Sequence, residues 1–426
     1  MKRGACLLLL AGCGTTTPIA ASQLNLNRPI DMAFACYGPM RVTNGAPADP
    51  SQPIVTTAQP LESCDVRTAD VPSGGTKPTP SGQEDLSSSG GGPVGDPSYY
   101  GFILEPTLGV VAVANWEAKQ TTLFAGGDVT VLDADPLTPG KNGITVGDNP
   151  VALATDQVGC YLVTANAGSC DLSELDIGSA LDLGSTPGVR VDRLEVKNAS
   201  GQIIHAKPAA MAGEPPGGTI GTQCSQTATG IAYVAYPGCH LVAAVDLASG
   251  TILDGIRYDS TGPSHVDGNV TCPDECGGEP PSTGIRPVAL DLQRDVRTGR
   301  RVLAIGADNS SSVTIVELGA DDRPVSLSQI AFEDPTGTLG ITQVAVSPQI
   351  GMGGSSGIIN DDISSSQFQF VYGVATDRTV RVADILNIRK ECDAQVDPRF
   401  LYNNTNLTQL SCLPVGDPMT PPRRAG

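Results

Sequence analysis

One pattern recurs along the chain and constrains its fold more than any other feature: a short apolar strand, a turn, a second apolar strand and a closing acid. It reads Val110-Val-Ala-Val-Ala-Asn with Val129-Thr-Val-Leu-Asp133, then Tyr161-Leu-Val-Thr-Ala-Asn with Leu172-Ser-Glu-Leu-Asp176. It returns as Ile231-Ala-Tyr-Val-Ala-Tyr with Leu241-Val-Ala-Ala-Val-Asp246, and as Val302-Leu-Ala-Ile-Gly with Val313-Thr-Ile-Val-Glu317. The last copy is Val371-Tyr-Gly-Val-Ala with Val380-Arg-Val-Ala-Asp384. A lead strand precedes most copies, usually opened by X-Pro: Arg28-Pro29, Asn149-Pro150, Lys207-Pro208 and Arg286-Pro287. Phe102 to Glu105 and Ile341 to Ser347 take the same place without proline. Proline is tolerated at the first residue of a strand, where its missing N–H is not needed by the ladder. The strands are rich in Val, Ile and Ala without a polar face, as expected of sheets covered on both sides.

Composition agrees. Gly 50 and Pro 34 in 426 residues are too many for a helical bundle, and no Gly-X-Y period is present. Short strands grouped by turns and repeated every ~50–70 residues are the signature of propeller blades with loop insertions. The predicted fold is therefore all-β: a β-propeller of six four-stranded blades, with a seventh allowed. Two blocks carry a family resemblance, Cys160-Tyr-Leu-Val-Thr-Ala-Asn running to Asp176, and Tyr233-Val-Ala-Tyr-Pro-Gly-Cys-His-Leu-Val-Ala-Ala-Val-Asp-Leu-Ala-Ser-Gly-Thr-Ile252. They resemble the strand-turn-strand core of YVTN-type, lactonase-like β-propellers, and the resemblance extends over roughly residues 100–385. It implies the fold. It leaves function open, because the family holds both enzymes and binding or scaffold proteins.

The amino terminus predicts the compartment. Met1-Lys2-Arg3 is followed by an apolar core and then Leu10-Ala11-Gly12-Cys13. A charged start, an apolar run and small residues before the cut describe a secretory signal. Leu-Ala-Gly-Cys resembles the lipobox of bacterial lipoproteins, which implies cleavage before Cys13 and lipidation of that cysteine. Stable anchoring takes more than one acyl chain, as lipoproteins carry. Gly14, where inner-membrane retention would place Asp, implies the outer membrane, facing the periplasm or the cell exterior. The expected organisation is a signal peptide at 1–12, a lipid-anchored tether at 13–27, the propeller at 28–412 and a tail at 413–426. Within the propeller, 66–99 reads as a flexible Gly/Ser/Pro insertion, too polar to offset the cost of ordering it.

Ten cysteines remain after Cys6 and Cys13: Cys36, Cys64, Cys160, Cys170, Cys224, Cys239, Cys272, Cys276, Cys392 and Cys412. An even number in an exported chain points to disulfides. Pairing of sequence neighbours is the working expectation, namely 36 with 64, 160 with 170, 224 with 239, 272 with 276 and 392 with 412.

No catalytic set assembles from the sequence. Gly353-Gly-Ser355-Ser-Gly357 matches a nucleophile elbow literally, but it lies in a Gly/Ser loop between strands. His205, His240 and His265 all precede it and read as surface or turn residues. Cys272 and Cys276 read as a disulfide loop before a zinc site. The acids Asp321-Asp322, Asp361-Asp362 and Asp133-Ala-Asp135 lack EF-hand spacing, which leaves calcium as the one cofactor in view. Lactonase-like enzymes hold an axial ion with acids from several blades. The closing acids Asp133, Asp176, Asp246, Glu317 and Asp384 instead read as a turn feature repeated in each blade. The formal charge of −19 disfavours a nucleic-acid partner. The leading expectation is a lipoprotein propeller that binds a protein or glycan as a scaffold and is not an enzyme. The alternatives are a metal-dependent lactonase-like hydrolase and a structural subunit of a surface assembly.

Overall fold

A computed structural model describes residues 29–41, 54–59, 98–115, 130–132, 143–181, 189–192, 195–197, 203–214, 224, 226–259, 262–267, 284–295, 299–332, 334, 336–348, 350–351 and 367–385. The chain there is almost entirely strand. The first sheet holds β1 (Asp31–Arg41), β2 (Ile54–Gln59), β3 (Ser98–Glu105), β4 (Val110–Asn115), β5 (Thr130–Leu132) and β6 (Ile144–Thr145). Its order is β2-β1-β3-β4-β5, with β6 also on β4. The second is a meander of β7 (Pro150–Thr155), β8 (Tyr161–Asn166), β9 (Asp171–Asp176) and β10 (Val189–Asp192), with a helical turn α1 (Ile177–Leu181) after β9. A small hairpin, β11 (Glu195–Lys197) with β12 (Ile203–His205), leads to the third sheet. That sheet runs in order through β13 (Ala210–Gly213), β14 (Ile231–Tyr236), β15 (Leu241–Asp246), β16 (Thr251–Asp259) and β17 (Gly262–Asp267). The fourth is the meander β18 (Pro287–Arg294), β19 (Arg301–Ala307), β20 (Ser312–Leu318) and β21 (Pro324–Ala331). The fifth joins β22 (Ile341–Val346), β25 (Phe370–Ala375) and β26 (Val380–Asp384), with a hairpin of β23 (Ile350–Gly351) and β24 (Gln367–Phe368) inserted after its first strand. All pairings are antiparallel.

The repeat corresponds to the sheets, with one correction. Phe102–Glu105 and the strand after Arg28-Pro29 do not lead separate blades. Asp31 through Tyr37 pairs with Leu104 through Ser98, so both strands belong to the first sheet. Among the described residues, six lead-type strands thus fall in five sheets of three or more strands, beside the two-stranded hairpins β11–β12 and β23–β24. Periodicity could not separate the two cases, because a lead strand and its neighbour in the same sheet are equally apolar.

The sheets stack in chain order, one apolar layer between each pair. Ala35, Tyr37, Phe102, Leu104, Val111 and Val113 of the first sheet meet Leu153, Leu162 and Leu175 of the second. Val163, Ala165 and Leu172 of the second meet Val234, Tyr236, Leu241, Ala243 and Val245 of the third. Tyr233, Ala235, Val242 and Ile256 then meet Leu303, Ile305, Val316 and Leu318, and Val302, Ala304 and Ile315 meet Ile341, Val371 and Ala375. Alternation along β14 explains the split: Val234 and Tyr236 point back, Tyr233 and Ala235 point forward. The first strands β1, β7, β13, β18 and β22 also pack one against the next. This is the blade-on-blade arrangement of a propeller, with the lead strands innermost. Small residues let these strands approach. A Cβ on Gly213 would lie 2.9 Å from the Thr155 carbonyl oxygen and 3.1 Å from the Ala154 Cβ.

Candidate functional site

The innermost strands carry acids, and each carboxylate is committed to a neighbouring blade. Asp31 on β1 accepts from the Leu153 N–H of β7 at 2.7 Å. Asp291 on β18 accepts from the Val346 N–H of β22 at 2.6 Å. Both are clasps between consecutive lead strands. Asp156, directly after β7, takes the N–H groups of Cys160 at 2.7 Å and Tyr161 at 2.9 Å. Its other oxygen takes the N–H and hydroxyl of Thr229, both at 3.1 Å, at the approach to the third sheet. Burial raises all three carboxyls above their ordinary value, and the backbone hydrogen bonds pull in the opposite direction.

Glu214, directly after β13, is the hub. Its side chain is 5% exposed. Oε1 pairs with Arg294 Nη1 at 2.9 Å, and Oε2 with Arg301 Nη1 at 3.3 Å. Gln157 Nε2 donates to Oε2 at 3.1 Å. One carboxylate thus joins the second, third and fourth sheets. Arg301, 9% exposed, also binds Asp322 and the Gly319 carbonyl on the β20–β21 turn. Asp322 adopts φ 62° there, a left-handed backbone that aspartate tolerates better than most residues. Its carbonyl accepts from Tyr233 Oη at 2.5 Å. From Tyr233 the register runs outward through Ala244 to Asp254 on β16. Asp254 meets His265 Nε2 at 2.5 Å. Polar groups thus stand on β14, at Tyr233, and on β16 and β17, at Asp254 and His265, with apolar Ala244 between them.

Two of the closing acids, Asp176 and Asp246, serve their own turns, whereas Glu317 joins neighbouring strands. Asp176 accepts from Gly178 N at 3.0 Å and Ser179 Oγ at 2.6 Å. Asp246 accepts from Ala248 N at 3.3 Å and Ser249 Oγ at 2.5 Å. Glu317 accepts from Arg300 at 2.7 Å and Ser326 at 3.0 Å. Asp384 ends β26, and none of these four is brought to a shared point with another. Asp321 is exposed beside Arg323. Among the described residues, no three His, Cys, Asp or Glu side chains are grouped to hold a metal. No helix there is long and apolar enough to cross a membrane.

The cysteines require a correction. Cys160 is bonded to Cys224, which replaces the expected pairs 160–170 and 224–239. Stacking of blades, not distance along the chain, decides which sulfurs meet. Cys160 sits in the β7–β8 turn and Cys224 on the approach to β14. Tyr37 of the first sheet donates to Gly159 O at 2.8 Å and lies 4.0 Å from the Cys224 sulfur. Cys36, Cys170 and Cys239 are disulfide-bonded as well. Cys13, Cys64, Cys272, Cys276, Cys392, Cys412, Asp133, Asp135, Asp361, Asp362 and the Gly353–Gly357 motif lie outside the described residues.

Sequence reading missed the acids that count most. Asp156 and Glu214 each stand one residue after a lead strand, as does buried Asp295. Their shared position was the available signal. Asp291→Ala is expected to lose about 1–3 kcal/mol in urea unfolding, since it orphans a buried N–H. Asp291→Asn keeps an acceptor without a buried charge. The folded wild type holds its proton more tightly than the unfolded chain, so its Asp291 contribution is fullest below pH 3.8 and declines as pH rises. The stability of Asp291→Asn relative to wild type should therefore increase from pH 3.8 toward neutrality, and a constant difference would contradict the assignment.

No protein-family model matches the sequence, and no curated protein does. Among solved structures, hydrazine synthase from Kuenenia stuttgartiensis is 14% identical over 67% of this chain and 62% of its own, with TM-score 0.31. Dihydro-heme d1 dehydrogenase NirN is 13% identical over 67% and 61%, with TM-score 0.30. The β-propeller domain of Cps50 (Swd1) from Myceliophteria thermophila is 14% identical over 67% and 79%, with TM-score 0.32. The chain spans about three fifths of the length of the first two.

Proposed function

We propose that the chain is a lipid-anchored propeller of the bacterial outer membrane that serves as a binding or scaffolding module for a protein or glycan. The observation that favours a module over a hydrolase is the use made of the inner acids. An axial metal site needs carboxylate oxygens from several blades turned toward one point. Asp31, Asp156, Glu214 and Asp291 instead spend their oxygens on N–H groups and guanidinium groups of adjacent blades. Such an interior is a frame, and loops on its faces are where recognition concentrates. The anchor rests on the lipobox at Cys13.

Two measurements test the reading. A fatty-acid probe supplied to cells should label the wild-type chain and fail to label Cys13→Ala; equal labelling of both removes the anchor. Elemental analysis of the purified protein should find no stoichiometric calcium or zinc. One equivalent retained through purification, with stability lost on chelation, would overturn the module in favour of a metal-dependent enzyme.

A further inference from the structure

The described sheets form a stack with two ends. Apolar layers join consecutive sheets from the first to the fifth, and among the described residues none joins the fifth back to the first. Exposed apolar side chains gather at those ends. Of the seven large ones among the described residues, Ile30, Met32 and Leu108 lie on or beside strands of the first sheet, and Tyr372 and Val380 on the fifth. We propose that residues 386–426 of this chain close the fifth end, docking on its outer face and along the edge of β26. The inference rests on neither the anchor nor the ligand.

The face is defined by alternation. Val371, Ala375 and Ala383 are buried in the layer shared with the fourth sheet. Phe370, Tyr372 and Val374 therefore point the other way. Their cross-strand partners extend the face: Ala345 and Val382 flank Tyr372, and Val380 stands opposite Val374. Tyr372 is 38% exposed and Val380 61%. The equivalent strands of the second and third sheets, β8, β9, β14 and β15, are instead buried on both faces. Covering an apolar face of this kind is favourable in proportion to the area removed from water.

The edge is open as well. The fifth sheet runs β22-β25-β26, which leaves β26 outermost among the described residues. The second, third and fourth sheets each continue past the equivalent strand. In all three, the strand next in chain order takes that place: β10 beside β9, β16 beside β15 and β21 beside β20. An uncovered edge presents unpaired N–H and C=O groups that a further strand can satisfy.

Chain order also argues for the occupant. Ile385 N donates to Gln369 O at 2.7 Å, so the chain departs directly from the end of β26. Residues 386–426 lie outside the described residues. They contain Arg399-Phe-Leu-Tyr402, with residues suited to a strand on an apolar face, and Leu407, Leu410 and Leu413 beyond it. A segment tethered beside the edge competes there at an effective concentration that a free partner does not reach.

The test is limited trypsin digestion of the full chain, with each cut identified by mass. Cleavage after Arg399 should be roughly tenfold faster in Val380→Asp than in the wild type, because a charge on the face expels the segment and the open population controls cleavage. Val380 is exposed, so the substitution leaves the layer against the fourth sheet intact. Cleavage after Lys141, elsewhere in the chain, should keep its wild-type rate. Amide hydrogen exchange gives the reciprocal measure: Phe400→Asp with Tyr402→Asp should lower protection of β26 about tenfold and leave β20 unchanged. Equal cleavage after Arg399 in wild type and Val380→Asp, or unchanged β26 protection in the double variant, would overturn the proposal. So would a full chain that sediments as a dimer and becomes monomeric in Val380→Asp, which would give the face to a second copy.

Discussion

Replacing Arg301 with alanine is expected to cost about 3–5 kcal/mol, the loss typical when one partner of a buried ion pair is removed. The size follows from Glu214, which stays buried among three sheets with its charge while losing one of its two cations. The Asp322 side chain, the Gly319 carbonyl and, through Asp322, the Tyr233 hydroxyl lose their anchor as well. Arg294 cannot compensate fully, because it binds the other oxygen and is itself 36% exposed. Urea unfolding of the full chain measures the loss. The discriminating companion is Glu214→Gln with Arg301→Met. Removing both charges should cost less than Arg301→Met alone, since the buried hub then holds no uncompensated carboxylate and the one left without Arg301, Asp322, is 21% exposed to water. A single Arg301→Ala variant that loses under about 1 kcal/mol would show that the cluster behaves as a surface pair.

The second large effect is expected from the Cys160–Cys224 disulfide. It closes a sequence separation of 64, and loop-closure entropy for such a span is worth about 4 kcal/mol. Cys160→Ala with Cys224→Ala should lose about that much under oxidising conditions, where the other disulfides stay intact. Thermal melting is the direct measurement. The bond ties the β7–β8 turn to the approach of β14, so the transition of the variant should also broaden as the second and third sheets uncouple. A melting curve superimposable on the wild type would mean that packing of Val163, Ala165 and Val234 already holds these sheets together.

These effects also mark where sequence reading succeeded. The strand pairs 161–166 with 171–176 and 231–236 with 241–246 were legible because each is a short strand–turn–strand unit buried on both faces; the pair 371–375 with 380–384 was legible from the same spacing, although Tyr372 and Val380 are exposed. The partition into sheets was not, because Phe102 and Met32 look alike as strand residues and only their cross-strand pairing shows one shared sheet. The disulfide was misread because Cys160 and Cys170 lie close in sequence but at opposite ends of the β8–β9 hairpin. The closing acids were recognised as turn features through Asp176 and Asp246. Glu214 passed unnoticed because its two arginines arrive from 80 and 87 residues away, and no local pattern records so distant a pairing. His265 was read as a surface residue. Half of its environment fits that reading, and the buried carboxylate behind it does not show in sequence.

The placement of β1 has a mechanical consequence. It is bonded on one edge to β2 and on the other to β3, and its Asp31 is clasped to β7. A pull on the chain ahead of residue 29 therefore loads Asp31–Ala35 first, where the ladder to β3 and the Asp31 clasp hold the strand. The ladder to β2, from Cys36 to Arg41, takes the load only after that half has given way. A molecule tugged from that end would resist in two successive stages, one for each half of the strand.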